Sequence, residues 1–446
     1  MASKVTCGMP HDSSCPPEIT KFFRKVDTVN NMAEHGRSNP DKRPFVLLGA
    51  GFSKAVSEAM PVMSQLAPKV LEKLGLPDDT LDQFAGDLEQ WLSYLSSDQP
   101  WLSDAQNLAN RSRFVAASEA VRDIIQNAED EVVQMACPPW LERLVVSWCA
   151  SESTVVTFNY DLLVERAITE LRLARFWPDI YRAPLVDRAA SMVNGLSFGN
   201  SSPPGPVLGL IKLHGSINWG FSGLNGAPGE VPCLVDQGLA WSRAGDMAVA
   251  PRFRSIYDDL QPMIVPPTGT KAAYYSGSSL RAQWRRAAED LGNASSVTLI
   301  GYSFPATDLA TRHLFATNVP NCDVTVVDLN PTVAGTVESL LDGGRHVNRF
   351  DGPAALEEYV ESKCGDLYRW GTDSTYRGWY EVNGTRHQAP DSCTTGGLEL
   401  KDGLVIAGAK VVERLSALNL NLSTSFGAYD GIAHWSGERL AYAAPS

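Results

Sequence analysis

Phe45-Val-Leu-Leu-Gly-Ala-Gly-Phe-Ser53 is an apolar run that stops at a glycine turn and opens into a helical pattern, which Pro61 closes. Such a run reads as a strand buried in a parallel sheet. Three later segments have the same form: Val155-Val-Thr157-Phe-Asn159-Tyr-Asp161, Leu210-Ile-Lys-Leu-His214-Gly215-Ser216 and Val297-Thr-Leu-Ile-Gly301-Tyr-Ser303. Val324–Asp328 is a fifth strand candidate. Helical patterns over Leu162–Leu171 and Ser279–Leu291 lie between the strands. Strands alternating with helices predict a Rossmann-like, doubly wound, mostly parallel α/β sheet with right-handed crossovers. Ligands of such sheets bind at the carboxyl ends of the strands. Gly49–Ser53, Asn159, Asp161, His214 and Ser303 are therefore expected to converge on one crevice.

Working outward, residues 1–43 form a polar extension with a short helix expected over 18–35. From about Ser64 to Ala150 apolar residues recur at spacings of three and four (Leu66, Val70, Leu71, Leu74; Trp91, Leu92, Leu95; Val115, Val121, Ile124, Ile125). That periodicity predicts a helical insertion beside the sheet, ended by Cys137-Pro138-Pro139. Residues 172–275 read as a loop-rich insertion, with a linker at Ser201–Pro206 and a wall or flap over the site at 220–275. The sheet domain is expected to span 44–366. The tail, 367–446, shows no fold signature, repeat or motif.

The chain has 446 residues, a formal net charge of −13 and eight cysteines, none in a Cys-x-x-Cys pair. The acidic balance argues against nucleic-acid binding, and the small Arg281, Trp284, Arg285, Arg286 cluster reads as a solvated helix face. No apolar stretch is long enough for a membrane span, and Met1–Cys7 lacks the apolar core of a secretory signal. Scattered cysteines predict neither a zinc site nor a disulfide framework. The expectation is a cytoplasmic protein without a metal.

Gly49-Ala50-Gly51 lies where backbone N–H groups can approach a pyrophosphate, though a simple tight turn has the same sequence. The third glycine of the dinucleotide fingerprint is missing. Asn159 and Asp161 flank an aromatic at a strand end, and either residue also suits a helix cap. His214 ends an apolar strand at the sheet's carboxyl edge, where an imidazole can serve as a general base. Of the other histidines only His313 is expected near the crevice. Gly301-Tyr302-Ser303 is a second glycine turn before a helix, and Asp308 reads as that helix's cap. Asp328 and Asn330 follow the fifth strand, where they suit hydrogen bonds to a ribose.

Taken together, these ordered motifs over residues 44–332 resemble the sirtuin-like family of NAD-consuming enzymes. Gly49-Ala50-Gly51-Phe52-Ser53 matches its Gly-Ala-Gly-x-Ser loop, and Thr157-Phe-Asn159-Tyr-Asp161 its Thr-x-Asn-x-Asp pattern. His214-Gly215-Ser216 matches the catalytic histidine signature, and Gly301-Tyr302-Ser303 the Gly-x-Ser loop. The resemblance implies that Asn159 orients the ribose or the attacking water, that Asp161 binds the nicotinamide carboxamide, and that His214 is the base. It also implies that the two glycine loops contact ribose and phosphate.

Three departures separate the chain from sirtuin deacylases. The paired-cysteine zinc module is missing, Glu58-Ala-Met-Pro-Val-Met63 replaces the Asp-Phe-Arg segment, and Asn159 and His214 stand 55 residues apart. These point to the bacterial, defence-associated branch, including Thoeris effectors and the sirtuin-like partners of short Argonautes or HerA-type ATPases. The implied activity is hydrolysis of NAD+ to nicotinamide and ADP-ribose, regulated by homo-oligomerisation or by a triggering partner protein (an ATPase, an Argonaute or another trigger sensor). A protein deacylase, an ADP-ribosyltransferase and a non-catalytic NAD or ADP-ribose sensor are the alternatives.

Overall fold

The computed structural model describes residues 42–171, 208–222, 260–265, 278–305, 308–341 and 345–372, with isolated residues and short strands elsewhere. The expected helix over 18–35 and the Ser201–Pro206 linker lie outside the described residues.

Among the described residues nine strands precede the tail: β1 (Phe45–Leu48), β2 (Thr154–Thr157), β3 (Gly209–Lys212), β4 (Gly215–Ser222), β5 (Cys233–Leu234), β6 (Leu260–Ile264), β7 (Ser296–Ile300), β8 (Asp323–Asp328) and β9 (Val347–Asp351). Six of them form one parallel sheet in the order β3-β2-β1-β7-β8-β9. Renumbered within that sheet, the order is 3-2-1-4-5-6, the dinucleotide-binding topology. The chain reverses direction across the sheet between β1 and β7, where Phe45 pairs with Val297 and Leu48 with Ile300.

Alternation in β1 shows why the apolar run is a strand. Val46 and Leu48 enter one core cluster, Phe45 and Leu47 the other, and all four are at most 2% exposed. Each such side chain contributes about 1.5–3 kcal/mol by leaving water. The first face is covered by α1 (Ala50–Val56), α2 (Met63–Leu74), α3 (Leu88–Ser96), α4 (Asp104–Val132), α5 (Pro139–Ala150) and α6 (Leu163–Glu170). The second is covered by α7 (Ser278–Gly292), α8 (Leu309–Asn318) and α9 (Thr332–Leu340). A last helix, α10 (Ala355–Lys363), follows β9.

The helical insertion between β1 and β2 is built as the periodicity predicts, with two corrections. Pro138-Pro139 opens α5, because a proline in the first turn sacrifices no intrahelical hydrogen bond. Val115 is 40% exposed, off the buried stripe of Ala117, Val121 and Ile124. Asp87 caps α3 by accepting from the Glu89 and Gln90 N–H groups, and Ser103 with Gln106 forms a capping box on α4.

β9 was not expected from sequence. As the sheet's edge strand it buries Val347 and leaves Asn348 and Arg349 exposed, so it carries no apolar run. Immediately after His214 the chain leaves the parallel sheet, and β4 pairs antiparallel with β5 and β6. The tail, without a signature in the sequence, contains antiparallel strands. β10 (Asp366–Thr372), β11 (Gly378–Val382), β12 (Thr385–Gln388), β16 (Gly431–Trp435) and β17 (Leu440–Pro445) form one sheet. β13 (Leu398–Glu399), β14 (Val405–Ala407) and β15 (Lys410–Val412) form another. Arg143 of α5 anchors the approach to β10, donating to the carbonyls of Cys364 and Gly365 and pairing with Glu361 at 2.7 Å.

Candidate active site

A cavity of about 910 Å³ opens at the carboxyl ends of the strands, around the reversal between β1 and β7. Its lining includes Gly49, Ala50, Gly51, Ser53, Asn159, Asp161, His214, Gly301, Tyr302, Ser303, Asp328 and Asn330. Residues far apart in sequence meet there because each ends a neighbouring parallel strand. Phe52 and His313 do not line it. The Phe52 ring is 1% exposed and packs on Trp140 and Trp148 in the core, while His313 is exposed on α8. Met60, Pro61, Val62, Leu66 and Ile125 add an apolar wall from the helical insertion, which the sequence motifs gave no reason to place there.

The two glycine loops interlock at the reversal. Gly49 N–H donates to Ile300 O (3.0 Å) and Gly51 N–H to Gly301 O (2.9 Å). Both N–H groups therefore face the neighbouring loop, while Gly49, Ala50 and Gly51 line the cavity. Gly301 has φ +62, and a Cβ there would stand 2.2 Å from Phe52 N. Only glycine permits this approach.

Ser53 joins the two halves of the Asn-Tyr-Asp turn. Its hydroxyl donates to Asp161 Oδ2 at 2.6 Å and accepts from Asn159 Nδ2 at 2.8 Å. Asn159 Nδ2 also donates to Gly49 O at 2.8 Å. With both amide protons engaged, the Asn159 carbonyl oxygen is the end left to receive a hydroxyl or a water. Asp161 also accepts from the Leu163 N–H, so it does part of the work of a cap for α6. Burial raises its carboxyl above the ordinary range, against the pull of Lys212 and the Ser53 hydrogen bond.

His214 lies at the carboxyl edge of the sheet but is only 7% exposed, so it forms part of the cavity wall. Its ring lies 4.8 Å from that of Phe158, which stacks on Tyr302 at 4.8 Å. Its carbonyl accepts from the Val265 N–H at 2.7 Å. Gly215 then turns with φ +82, where a Cβ would meet Met263 O at 2.0 Å. The histidine turn is also tied to the Asn-Tyr-Asp turn, since Ser216 Oγ and Ile217 N both donate to Tyr160 O.

Beneath these turns lies a set of buried charges that the sequence reading missed. Lys212 Nζ donates to the carbonyl oxygens of Asp161 and Tyr160 and pairs with Glu165 at 3.0 Å. Glu165 accepts from the Tyr181 hydroxyl at 2.9 Å. Arg166 pairs with Glu129, whose other oxygen accepts from the Leu162 N–H. Burial pushes the Glu129 carboxyl up, and Arg166 pulls it back. A lysine inside the apolar run Leu210–Leu213 was the available signal, because a buried charge requires a partner.

At the far side, Tyr302 donates to Asp308 at 2.6 Å, and Asp308 caps α8 by accepting from the Thr311 N–H, as expected. Asp328 accepts from the Asn330 N–H at 2.8 Å, and Asn330 Oδ1 accepts from the N–H and hydroxyl of Thr332. Burial raises the Asp328 carboxyl. Among the described residues there is no cluster of His, Cys, Asp and Glu fit to hold a metal, and no helix is long and apolar enough to cross a membrane.

No protein-family model and no curated protein matches this sequence. Among solved structures, the chain is similar to a Sir2 protein with a p53 peptide and NAD+, at 13% identity and a TM-score of 0.32 over 77% of this chain and 96% of that one. It is similar also to a Sir2 in complex with an inhibitor, 2′-O-acetyl-ADP-ribose and a deacetylated p53 peptide, at 13% identity and a TM-score of 0.33 over 77% and 98%. Independently of these, the strand order and the flanking helices define a Rossmann-like α/β protein.

Proposed function

We propose that this chain is an NAD+ glycohydrolase. One observation carries the reading: Ser53, Asn159, Asp161 and His214, drawn from three strand ends, line a single cavity at the sheet's reversal point. Its volume, about 910 Å³, suits a dinucleotide. The order of the motifs and their resemblance to sirtuin-like enzymes support the same reading.

Hydrolysis breaks the bond between nicotinamide nitrogen and ribose C1′, with the bonding electrons leaving on nicotinamide. Water then bonds C1′ and releases a proton. Asp161 accepts from the carboxamide N–H, fixing the leaving group. The Asn159 carbonyl oxygen accepts from the water or a ribose hydroxyl, and His214 takes the proton. Asp161 also places negative charge beside the oxocarbenium-like ribose as it develops. Asp328 and Asn330 hold the adenosine ribose, and the Ser303 hydroxyl meets ribose or phosphate. Residues 44–366 form the catalytic unit.

The biological role that accompanies this chemistry is NAD+ depletion in bacterial anti-phage defence, in the cytoplasm, regulated by self-association or a triggering partner protein. The test is incubation with NAD+ in ¹⁸O-labelled water, with products separated by chromatography. Nicotinamide and ADP-ribose labelled at C1′ are expected from wild type, and His214→Ala should lose turnover by orders of magnitude while remaining folded. Unlabelled product, or full activity in His214→Ala, would overturn the assignment.

A further inference from the structure

We infer that Lys212 is a positioning residue of this site: it holds the Asn159–Asp161 turn by its main chain and places its positive charge beside Asp161. The inference rests on the proposed function for its consequence and on the geometry for its substance. Lys212 belongs to β3, whose neighbours Leu210, Ile211 and Leu213 are fully buried. The Lys212 side chain is itself 0% exposed. A lysine so placed must answer a specific negative charge or set of acceptors.

Glu165 alone does not account for how it is seated. Its Nζ reaches three acceptors, and two are consecutive carbonyls of the turn that presents Asp161. The ammonium thus bridges the strand that ends in His214 to the turn that carries Asn159 and Asp161. Both catalytic elements are referenced to one side chain.

The charges around Asp161 can be named element by element. Ser53 of α1 donates to it. Glu165 and Arg166 come from α6, Glu129 from α4, and His214 lines the same cavity. Glu129 is answered by Arg166 and Glu165 by Lys212, so Asp161 is the carboxylate left over. Lys212 pulls the Asp161 carboxyl down more strongly than Glu165 pushes it up. Removing both members of the pair therefore still moves Asp161 upward.

The test uses the full chain and three variants: Lys212→Met, Glu165→Gln, and the double variant Lys212→Met/Glu165→Gln. The double variant matters because Lys212→Met alone leaves Glu165 buried without its cation. Asp161 protonation is followed without nucleotide, as the infrared carboxyl band present in each protein and absent in its Asp161→Asn counterpart. NAD+ affinity is measured across the same pH range. The expected midpoint moves up by about one pH unit or more in Lys212→Met. It should stay above wild type in the double variant and fall in Glu165→Gln, with loss of NAD+ binding tracking it.

A double variant that titrates with wild type shows that Lys212 only balances Glu165, and the inference falls even if NAD+ is bound and cleaved. A wild type that binds no NAD+ overturns the proposed function instead, while the infrared midpoints still decide the role of Lys212.

Discussion

Gly301→Ala places a methyl group where the two glycine loops interlock, and its cost can be worked from the structure. At φ +62 an alanine gives up about 1–2 kcal/mol to backbone strain. The new Cβ would stand 2.2 Å from Phe52 N and 2.5 Å from Gly51 C. Both are main-chain atoms, so no side chain can rotate away, and forced overpacking adds about 1–3 kcal/mol. Together these give about 2–5 kcal/mol, with the loops pushed apart at the cavity floor. Two other glycines separate the terms. Gly352 has φ +91 and open space, so Gly352→Ala bears the strain alone. Gly335 sits in α9 with nothing within 4 Å and no positive φ, so its alanine should gain about 0.5–1 kcal/mol. Urea and thermal melts by circular dichroism should rank Gly335→Ala at or above wild type, then Gly352→Ala, then Gly301→Ala. A Gly301→Ala protein that melts with wild type would refute the interlocked-loop geometry.

Asp161→Asn should raise stability while removing NAD+ binding. Burial raises the Asp161 carboxyl, so the folded chain keeps a proton that the unfolded chain has released, and stability falls as pH rises above the ordinary value of 3.8. The variant's advantage in melting temperature should therefore grow from pH 4 towards neutrality; an advantage that shrinks over that range contradicts a carboxyl whose burial outweighs Lys212 and Ser53. Arg166→Met strands Glu129 in the core and should cost about 3–5 kcal/mol, whereas Glu129→Gln/Arg166→Met should recover most of it. Equal melting of the single and double variants would show that the pair does not act as a buried ion pair.

Much of the fold was legible because β1, β2, β3 and β7 are buried on both faces and so appear as uninterrupted apolar runs. β9 was not, because an edge strand with one buried residue has no such run. The helices of 63–150 show in their spacing, but Pro138-Pro139 has the sequence of a stop while its place in the first turn makes it a start. Ser53, Asn159, Asp161 and His214 were legible as strand-end residues. What the glycine N–H groups bond to was not, since that depends on how two distant loops meet. Lys212, Glu165, Arg166 and Glu129 were not legible because sequence does not show which charges are folded inward. The strands of the tail carry no readable pattern of their own, being short and separated by turn-rich sequence.

The central claim is that NAD+ occupies the cavity with its nicotinamide ribose at Asn159 and Asp161. It is tested most directly by determining the structure of the His214→Ala protein with NAD+, since removing the base should leave the substrate intact. The account predicts the carboxamide within hydrogen-bond distance of Asp161 and ribose C1′ facing Asn159 and the vacated imidazole position, with the adenosine ribose beside Asp328. NAD+ bound elsewhere, or no bound NAD+ at saturating concentration, would contradict it.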